Sequence, residues 1–389
     1  MPRVLRIINR LNLGGPTFNA SYLSRYLPDQ YETLLVAGMK DATEASSDFI
    51  PLSMGLEPHY VKHMHREINP LKDRKAYKEM KGIIKDFRPD IVHTHAAKAG
   101  ALGRLAAANC KVPVIVHTFH GHVFHSYFNP VKTRAFVKIE QYLASKSSKI
   151  IAISNKQKKE IGEDFGVAPL DKIEVIPLGF DLSRFQENID LKRKKFREEW
   201  GIEDEEVAIG IIGRLVPIKN HQFFLEAIQS LSEKTNIPFK AFIIGDGEDR
   251  AVIENKAREL GLIDSEKIIF TSWIKDVDEA NAGMDIIALT SFNEGTPVSL
   301  IEAQAANKPI VSTNVGGIQD IILENDTGFL SELNEQEKFV SDLQKLVEDA
   351  DLRKRMGQQG FDHVKEKFSY QRLVNDMDRL YTKLLKGDT

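Results

Sequence analysis

The sequence predicts an α/β protein made of two successive β/α domains, and three observations carry that prediction. Short β-rich runs alternate with helical patterns through the first half. The alternation breaks near residue 180 and then restarts. At 389 residues, the chain also exceeds the size at which a single hydrophobic core goes on growing.

In the first half, Val4–Asn9 reads as a strand that Leu13-Gly14-Gly15-Pro16 breaks before a helix at Thr17–Leu27. Strands are expected at Glu32–Ala37 and, more weakly, at Pro58–Val61, and a basic helix at Asn69–Phe87. A strand at Ile91–His95, a helix at Lys98–Asn109 and a strand at Val114–Thr118 follow. That strand leads into Phe119-His120-Gly121-His122-Val123-Phe124-His125, then a helix from Pro130 to Ser145 and a strand at Ile150–Ile153. Pro177–Asp190 carries Gly179, several charges and no periodicity, and reads as a linker. Strands at Val207–Ile212, Ala241–Ile244, Lys267–Phe270, Asp285–Leu289 and Pro309–Ser312 alternate with helices beyond it. Three helical stretches close the chain, the last near Tyr370–Leu384. The simplest architecture is a pair of Rossmann-like domains, 1–182 and 183–368, facing across a cleft, with 369–389 a helix packing back on the first. In open parallel sheets ligands bind beyond the carboxyl ends of the strands, so the loops there decide function.

Composition narrows the class. Hydrophobic residues make up 42% and charged residues 28%, the balance of a globular chain rather than a disordered or fibrous one. The single cysteine, Cys110, excludes an internal disulfide and fits a reducing compartment. The apolar run Val4–Ile8 is too short for a secretory signal, and no stretch approaches the roughly eighteen apolar residues that span a bilayer. A cytoplasmic protein is expected. Met1–Phe185 carries 27 Lys and Arg against 18 Asp and Glu, leaving 26 and 38 for the remainder, so the halves carry +9 and −12 within a total of −3. Halves so different in charge point to different partners, with no nucleic acid among them.

The richest loop is Phe292-Asn293-Glu294-Gly295-Thr296-Pro297-Val298-Ser299-Leu300-Ile301-Glu302, after the strand at Asp285–Leu289. Thr296 suits a helix cap and Pro297 the first helical position, where a missing N–H costs nothing. The amides of Val298 and Ser299 would then form an anion site. Glu302 lies about 7.5 Å further along the helix axis, out of reach of a phosphate but able to meet hydroxyls one group on, such as those of a ribose. Glu294, before the helix, is placed to hold a second set of hydroxyls. The plain alternative is a capped helix with two surface acids.

Gly213-Arg214-Leu215-Val216-Pro217-Ile218-Lys219-Asn220 also follows a strand. Arg214 binds phosphate in a bidentate way and Lys219 as a point charge, so together they can neutralise a leaving diphosphate. Gly14-Gly15 lets backbone approach a ligand at the first strand–helix junction. Gly245-Asp246-Gly247 is an incomplete dinucleotide fingerprint with Arg250 at the third glycine position, and reads as nucleotide-contacting backbone or a turn. His93, His95, His120, His122 and His125 lack an evident carboxylate partner, and no metal site is expected. Asp276-Val277-Asp278 and Asp376-Met377-Asp378 match the acidic signature of metal-dependent sugar transferases, but both are expected in helices with an acid on the wet face.

Taken together, Glu294 and Glu302 with seven residues between them, Gly213, Arg214 and Lys219, Gly245-Asp246-Gly247 and Asn314-Val315-Gly316-Gly317 resemble the retaining glycosyltransferase family 4 of the GT-B fold. The likeness covers nearly the whole chain, and His117-Thr118-Phe119-His120-Gly121-His122 is similar to bacterial members that build surface polysaccharides. It implies transfer of a hexose or N-acetylhexosamine from a nucleotide sugar, a UDP-sugar, to a glycan or lipid-linked acceptor, with retention of configuration and no metal or other cofactor. Under the same likeness Arg214 and Lys219 bind the donor diphosphate, Glu302 the ribose and Glu294 hydroxyls of the transferred sugar. His120 reaches that sugar's 6-position. Gly14, Gly15, Gly213, Gly245, Gly247, Ile274 and the Gly295-Thr296-Pro297-Val298-Ser299 amides complete the donor site. One departure is Ser272-Trp273, where the family often has glycine, which bears on the base pocket. The alternatives are a nucleotide-sugar epimerase or hydrolase of the same fold, a non-catalytic nucleotide-binding protein, and a dehydrogenase, which neither half supports with a complete glycine fingerprint. The basic helix at Asn69–Phe87, with Leu71, Met80, Ile83, Ile84 and Phe87 among lysines, adds an expectation of peripheral contact with the inner membrane face.

Overall fold

Among the described residues every strand pairs in parallel with its neighbours, as the alternation of buried strands with helices requires. The structure, a computed structural model, describes residues 1–12, 14–40, 47–120 and 130–387. It divides into two units, Met1–Phe180 together with the segment from Phe368 onward, and Asp181–Lys367.

In the first unit the strands are β1 Arg3–Ile8, β2 Glu32–Gly38, β3 His59–Val61, β4 Ile91–His95, β5 Val114–Phe119, β6 Lys149–Ala152 and β7 Ile173–Val175, in the order β3-β2-β1-β4-β5-β6-β7. Its helices are α1 Gly15–Arg25, α2 Phe49–Ser53, α3 Pro70–Phe87, α4 Ala97–Asn109, α5 Pro130–Lys146 and α6 Asn155–Lys159. The period of two along each strand sorts the core. Val4, Ile91, Val114 and Val116 face Leu23 of α1 and Leu373, Met377 and Tyr381 of the closing helix. Leu5, Ile7, Val92 and Ile115 face Ala76, Met80 and Ile84 of α3 and Ala99 and Ala106 of α4.

The second unit repeats the plan with α7 Ile189–Glu199, β8 Val207–Ile212, α8 His221–Lys234, β9 Phe239–Ile244, α9 Arg250–Glu259, β10 Ile268–Ser272, α10 Val277–Gly283, β11 Ile286–Leu289, α11 Val298–Ala305, β12 Ile310–Thr313, β13 Gly328–Ser331, α12 Gln336–Glu348 and α13 Ala350–Phe368. The last helix, α14 Tyr370–Leu385, belongs to the first unit. The second sheet runs β10-β9-β8-β11-β12-β13, so its strand order reverses between β8 and β11, as that of the first does between β1 and β4. Those switch points are where open sheets of this kind leave room for ligands. At the opposite end of the second sheet, Arg193 and Arg197 of α7 hold Asp285 at 2.7 and 3.2 Å, and Asp285 also accepts from the Ala208 amide at 2.8 Å.

Three expectations need correction. β7 and β13, of three and four residues, escaped the sequence reading because an edge strand that short shows no periodicity. The segment read as a linker at Pro177–Asp190 is structured: Phe180 pairs with Ser369, Ser183–Phe185 makes a helical turn, and α7 starts at Ile189. The apolar side of α3 is mostly spent on its own sheet. Met80 and Ile84 are buried and Ile83 and Phe87 half-buried against the same core, leaving Leu71, 78% exposed, beside Ile68, 75% exposed.

Candidate active site

Lys219 and Glu294 meet at the switch point of the second sheet. Lys219 follows the loop after β8, and Glu294 the loop after β11. Lys219 Nζ donates to Glu294 Oε1 at 2.5 Å, and Ser291 Oγ donates to the same oxygen at 2.6 Å, so Oε2 remains for another donor. The two loops are stitched together: the Phe292 amide donates to the Ile218 carbonyl at 2.8 Å, and Thr290 Oγ1 to the Asn220 carbonyl at 3.0 Å. The Lys219 stem lies within about 4.0 Å of where a side chain on Gly213 would begin. Arg214 is exposed, and its guanidinium bonds to nothing among the described residues.

α11 starts one residue later than expected. Its cap is Pro297, at φ −69° and ψ 105°, and no side chain caps it, so Thr296 is not the cap. Proline cannot offer a side-chain acceptor, and the amides of Val298 and Ser299 are left without a partner among the described residues. Glu302, half-buried on α11, has Arg184 at 4.0 Å. Burial pushes its pKa up to about 7, against the pull of Arg184 and helped by Asp278. Asp278 does not lie on a wet face: it is mostly buried and pairs with Lys192 at 2.9 Å. Asp276, just before α10, is exposed, and Asp376 pairs with Arg372 at 3.0 Å.

The glycines of this unit serve backbone contact. A side chain on Gly245, at φ 143°, would begin 1.9 Å from the Gly213 carbonyl, and one on Gly247 would begin 2.2 Å from that of Leu215. A side chain on Gly316, at φ 62°, would begin 1.8 Å from the carbonyl of Glu294. Gly317 donates its amide to the same carbonyl at 3.1 Å, so the loop after β12 braces the Glu294–Gly295 turn. Gly295 itself faces open space. Ile274 is half-buried just beyond β10. Ser272, where glycine was expected, does adopt a glycine-like φ of 65° and is held by Arg250 at 2.6 Å. Ser291 and Arg184 escaped the sequence reading, and Arg250 was noted only as the residue in place of a third glycine; a serine beside Glu294 carries no mark of its own, and the partners of Arg184 and Arg250 lie in other loops.

Gly14, Gly15 and His120 lie in the first unit. Gly14 caps α1, and Gly15 opens it. His120, just past β5, joins a buried group of histidines at the carboxyl ends of β4 and β5. His95 Nδ1 and His120 Nε2 are 2.8 Å apart, and the His93 and His95 rings lie 4.3 Å centre to centre. Beneath them Arg6 donates to the Tyr381 hydroxyl at 3.0 Å, which lies 2.6 Å from His93 Nδ1, and His93 Nε2 is 2.7 Å from Thr118 Oγ1. Burial keeps these rings neutral, taking His120 down to about 3 and His93 and His95 well below their ordinary value. His122 and His125 lie outside the described residues. Among the described residues no group of three or more His, Cys, Asp or Glu is arranged to hold a metal, and no helix is long and apolar enough to cross a membrane.

Comparison with known proteins bears on the family and the fold. The family model described as Glycosyltransferase Family 4 matches residues 13–184, and that described as glycosyl transferases group 1 matches residues 192–363. The chain is 32% identical over 295 residues to the UDP-Gal:alpha-D-GlcNAc-diphosphoundecaprenol alpha-1,3-galactosyltransferase of Escherichia coli, covering 75% of this chain and 74% of that one. It is 26% identical to the capsular polysaccharide biosynthesis glycosyltransferase CapM of Staphylococcus aureus, over 84% and 85% of the two chains. Among solved structures, Anabaena HepE in complex with UDP matches with a TM-score of 0.82 at 16% identity, over 98% of this chain and 100% of that one. A glycosyltransferase from Rickettsia africae matches with the same score at 22% identity, over 99% of each chain. At those identities the two structures speak to the fold alone.

Proposed function

The chain belongs to glycosyltransferase family 4, with the GT-B fold, and on that premise we propose that it moves a hexose or N-acetylhexosamine from a UDP-sugar to a glycan or lipid-linked acceptor in bacterial surface polysaccharide or glycolipid synthesis, with retention of configuration and without a metal ion. The observation that carries the reading is the Lys219–Glu294 pair at a switch point, beside an uncapped α11 and an unpaired Arg214. The E. coli relative, named for UDP-Gal, supports the choice of nucleotide.

In this reading the bond from the anomeric carbon to the diphosphate breaks, its electron pair goes to the phosphate oxygen, and positive charge builds on the sugar. Arg214, Lys219 and the Val298 and Ser299 amides face the growing negative charge; removing one such donor typically costs about 2.7–4 kcal/mol. Glu294 Oε2 takes hydroxyls of the sugar, Glu302 takes those of the ribose, and His120 meets the 6-position hydroxyl. The acceptor oxygen attacks on the face that the diphosphate leaves, and its proton passes to the departing phosphate oxygen. No side-chain nucleophile is needed.

A panel of nucleotide sugars, with and without EDTA, tests this. The expected result is turnover of one UDP-sugar, insensitive to the chelator, giving a product of the donor's anomeric configuration by NMR. Loss with EDTA and recovery with Mg²⁺ or Mn²⁺ would overturn the metal-free reading. Free sugar or epimer exchange without acceptor would favour the epimerase or hydrolase.

A further inference from the structure

Six hydrogen-bonding groups stand in line on one face of the first sheet, and their donor directions can be worked out. Arg6 can only donate, so the Tyr381 oxygen accepts from it at 3.0 Å. The Tyr381 proton then goes to His93 Nδ1 at 2.6 Å, which leaves His93 protonated on Nε2 and donating to Thr118 Oγ1 at 2.7 Å. The tautomer of His93 is thereby fixed from below by a buried cation. The second pair, His95 and His120, has no such anchor. Its one bond joins His95 Nδ1 to His120 Nε2 at 2.8 Å, while His95 Nε2 and His120 Nδ1 are both buried with no partner among the described residues. A buried nitrogen without a partner is unfavourable, and a group on a bound ligand is one way to satisfy it.

Both rings are neutral, so one proton lies in the bond between them. If His95 donates, His120 presents Nδ1–H as a donor; if His120 donates, it presents Nδ1 as an acceptor. We propose that His95 is a positioning residue for His120: it holds the ring and sets which nitrogen carries the proton, so that His120 Nδ1 meets a hydroxyl of the bound sugar with defined hydrogen-bond direction. The inference rests on the reading that His120 contacts the transferred sugar. The ring of His95 is itself held against that of His93, so the order imposed at Arg6 reaches His120 through ring packing and not through a chain of bonds.

The test reads the tautomer directly. In ¹⁵N-histidine NMR of the free full-length protein, His120 should show one neutral tautomer in the wild type and an averaged one in His95→Ala. His95→Asn, whose amide takes the place of Nδ1, should restore a single tautomer. A fixed His120 tautomer in His95→Ala would overturn the proposal whatever the kinetics show. With UDP-galactose as the donor probe, His95→Ala should lower kcat roughly tenfold to a hundredfold with KM within about threefold, and His95→Asn should recover most of it. In a His120→Ala background the same His95→Ala change should cost less than about twofold. An unchanged loss in that background would show that His95 acts elsewhere and would also overturn the proposal. His120→Ala with normal turnover would instead overturn the reading of His120 as a sugar contact, leaving the tautomer result to stand by itself.

Discussion

The two units share one scaffold and load it with opposite chemistry. Each sheet reverses its strand order once, and each places its polar residues at the carboxyl ends beside that reversal. In the first unit those residues are neutral, largely buried rings, one of which, His93, is ordered by a buried arginine through Tyr381. In the second they are ions at the edge of solvent, a paired Lys219–Glu294 and an unpaired Arg214. Net charge runs the other way: the basic residues of Met1–Phe185 lie mainly on outer helices, whereas the half carrying −12 holds the cations proposed to meet a diphosphate. A ligand responds to the few groups within a Debye length, about 8 Å at physiological salt, so the local set decides and the total does not.

Acid breaks the comparison most sharply. His93, His95, His117 and His120 of the first unit all have folded-state pKa values driven down by burial. A depressed histidine contributes stability that is present above its unfolded value of about 6.5 and is lost as pH falls toward the folded value. Between pH 6.5 and 5.5 that is about 1 kcal/mol for each ring, about 4 kcal/mol for the group. In the second unit His221 and His363 pull the same way, but Glu302 is raised to about 7 and has the opposite sign. Its contribution is full below its unfolded value and is lost as pH rises through about 7, so acid restores it. Hydrogen exchange at pH 7.5, 6.5 and 5.5 should therefore show the first unit losing protection before the second. Parallel loss, or earlier loss in the second, would mean that the rings are not buried neutral.

Removing a cation should separate function from stability in the second unit. Arg214→Ala and Lys219→Ala are each expected to lower kcat by two to three orders of magnitude. Arg214→Ala should leave the thermal midpoint within a degree or two, because the side chain is exposed. Lys219→Ala should also lower the midpoint modestly, since it strips Glu294 of a partner at 2.5 Å. Wild-type kinetics with a normal melting curve would remove these residues from the donor site.

What the sequence revealed follows from how far apart in the chain the partners stand. Strands and helices repeat at short period, so both sheets and nearly every helix were legible, with Ile91–His95 and Val207–Ile212 read to the residue. Arg214, Lys219 and Glu294 stood out as candidates because they follow strands in glycine-marked loops. The Lys219–Glu294 bond was not, because the partners are 75 residues apart and only the fold joins them. The same applies to Tyr381 and His93, 288 residues apart, and to Gly316, whose need for glycine comes from the distant Glu294 carbonyl as well as from its own φ of 62°. The start of α11 was misplaced by one residue because Thr296 and Pro297 fit two registers equally well, and local propensity does not choose between them.

Glu302 gives a smaller, graded effect. In the free protein its carboxyl is about half neutral at pH 7, and a ribose is best held by the ionised form, which accepts two hydrogen bonds. UDP affinity should rise with pH, roughly tenfold between pH 6 and 8. Glu302→Gln should flatten that slope while leaving kcat nearly unchanged, because the ribose contact is the same in ground and transition states. Calorimetry of UDP binding across that range measures both. A flat wild-type profile would place Glu302 away from the ribose.

The smallest effect concerns the surface of the first unit. The membrane contact expected from α3 counted five apolar residues, and four of them pack inward; Ile68 and Leu71 remain exposed. Around them Arg66, Lys72, Arg74, Lys75 and Lys78 are all exposed, with Glu67 the one exposed acid between Arg66 and Lys78. Each basic group near an anionic surface contributes about 1 kcal/mol at most, screened within about 8 Å at physiological salt, and two apolar side chains add a shallow insertion. Weak and salt-sensitive binding is therefore expected: co-sedimentation with phosphatidylglycerol vesicles at low salt, falling severalfold at physiological salt, and little binding to neutral vesicles. Ile68→Ser with Leu71→Ser should lower the residual binding at physiological salt more than the binding at low salt, since it removes the unscreened part. No sedimentation at low salt, or equal binding to neutral lipid, would break the link between the basic half and a membrane-borne acceptor and leave a water-soluble acceptor as the better reading.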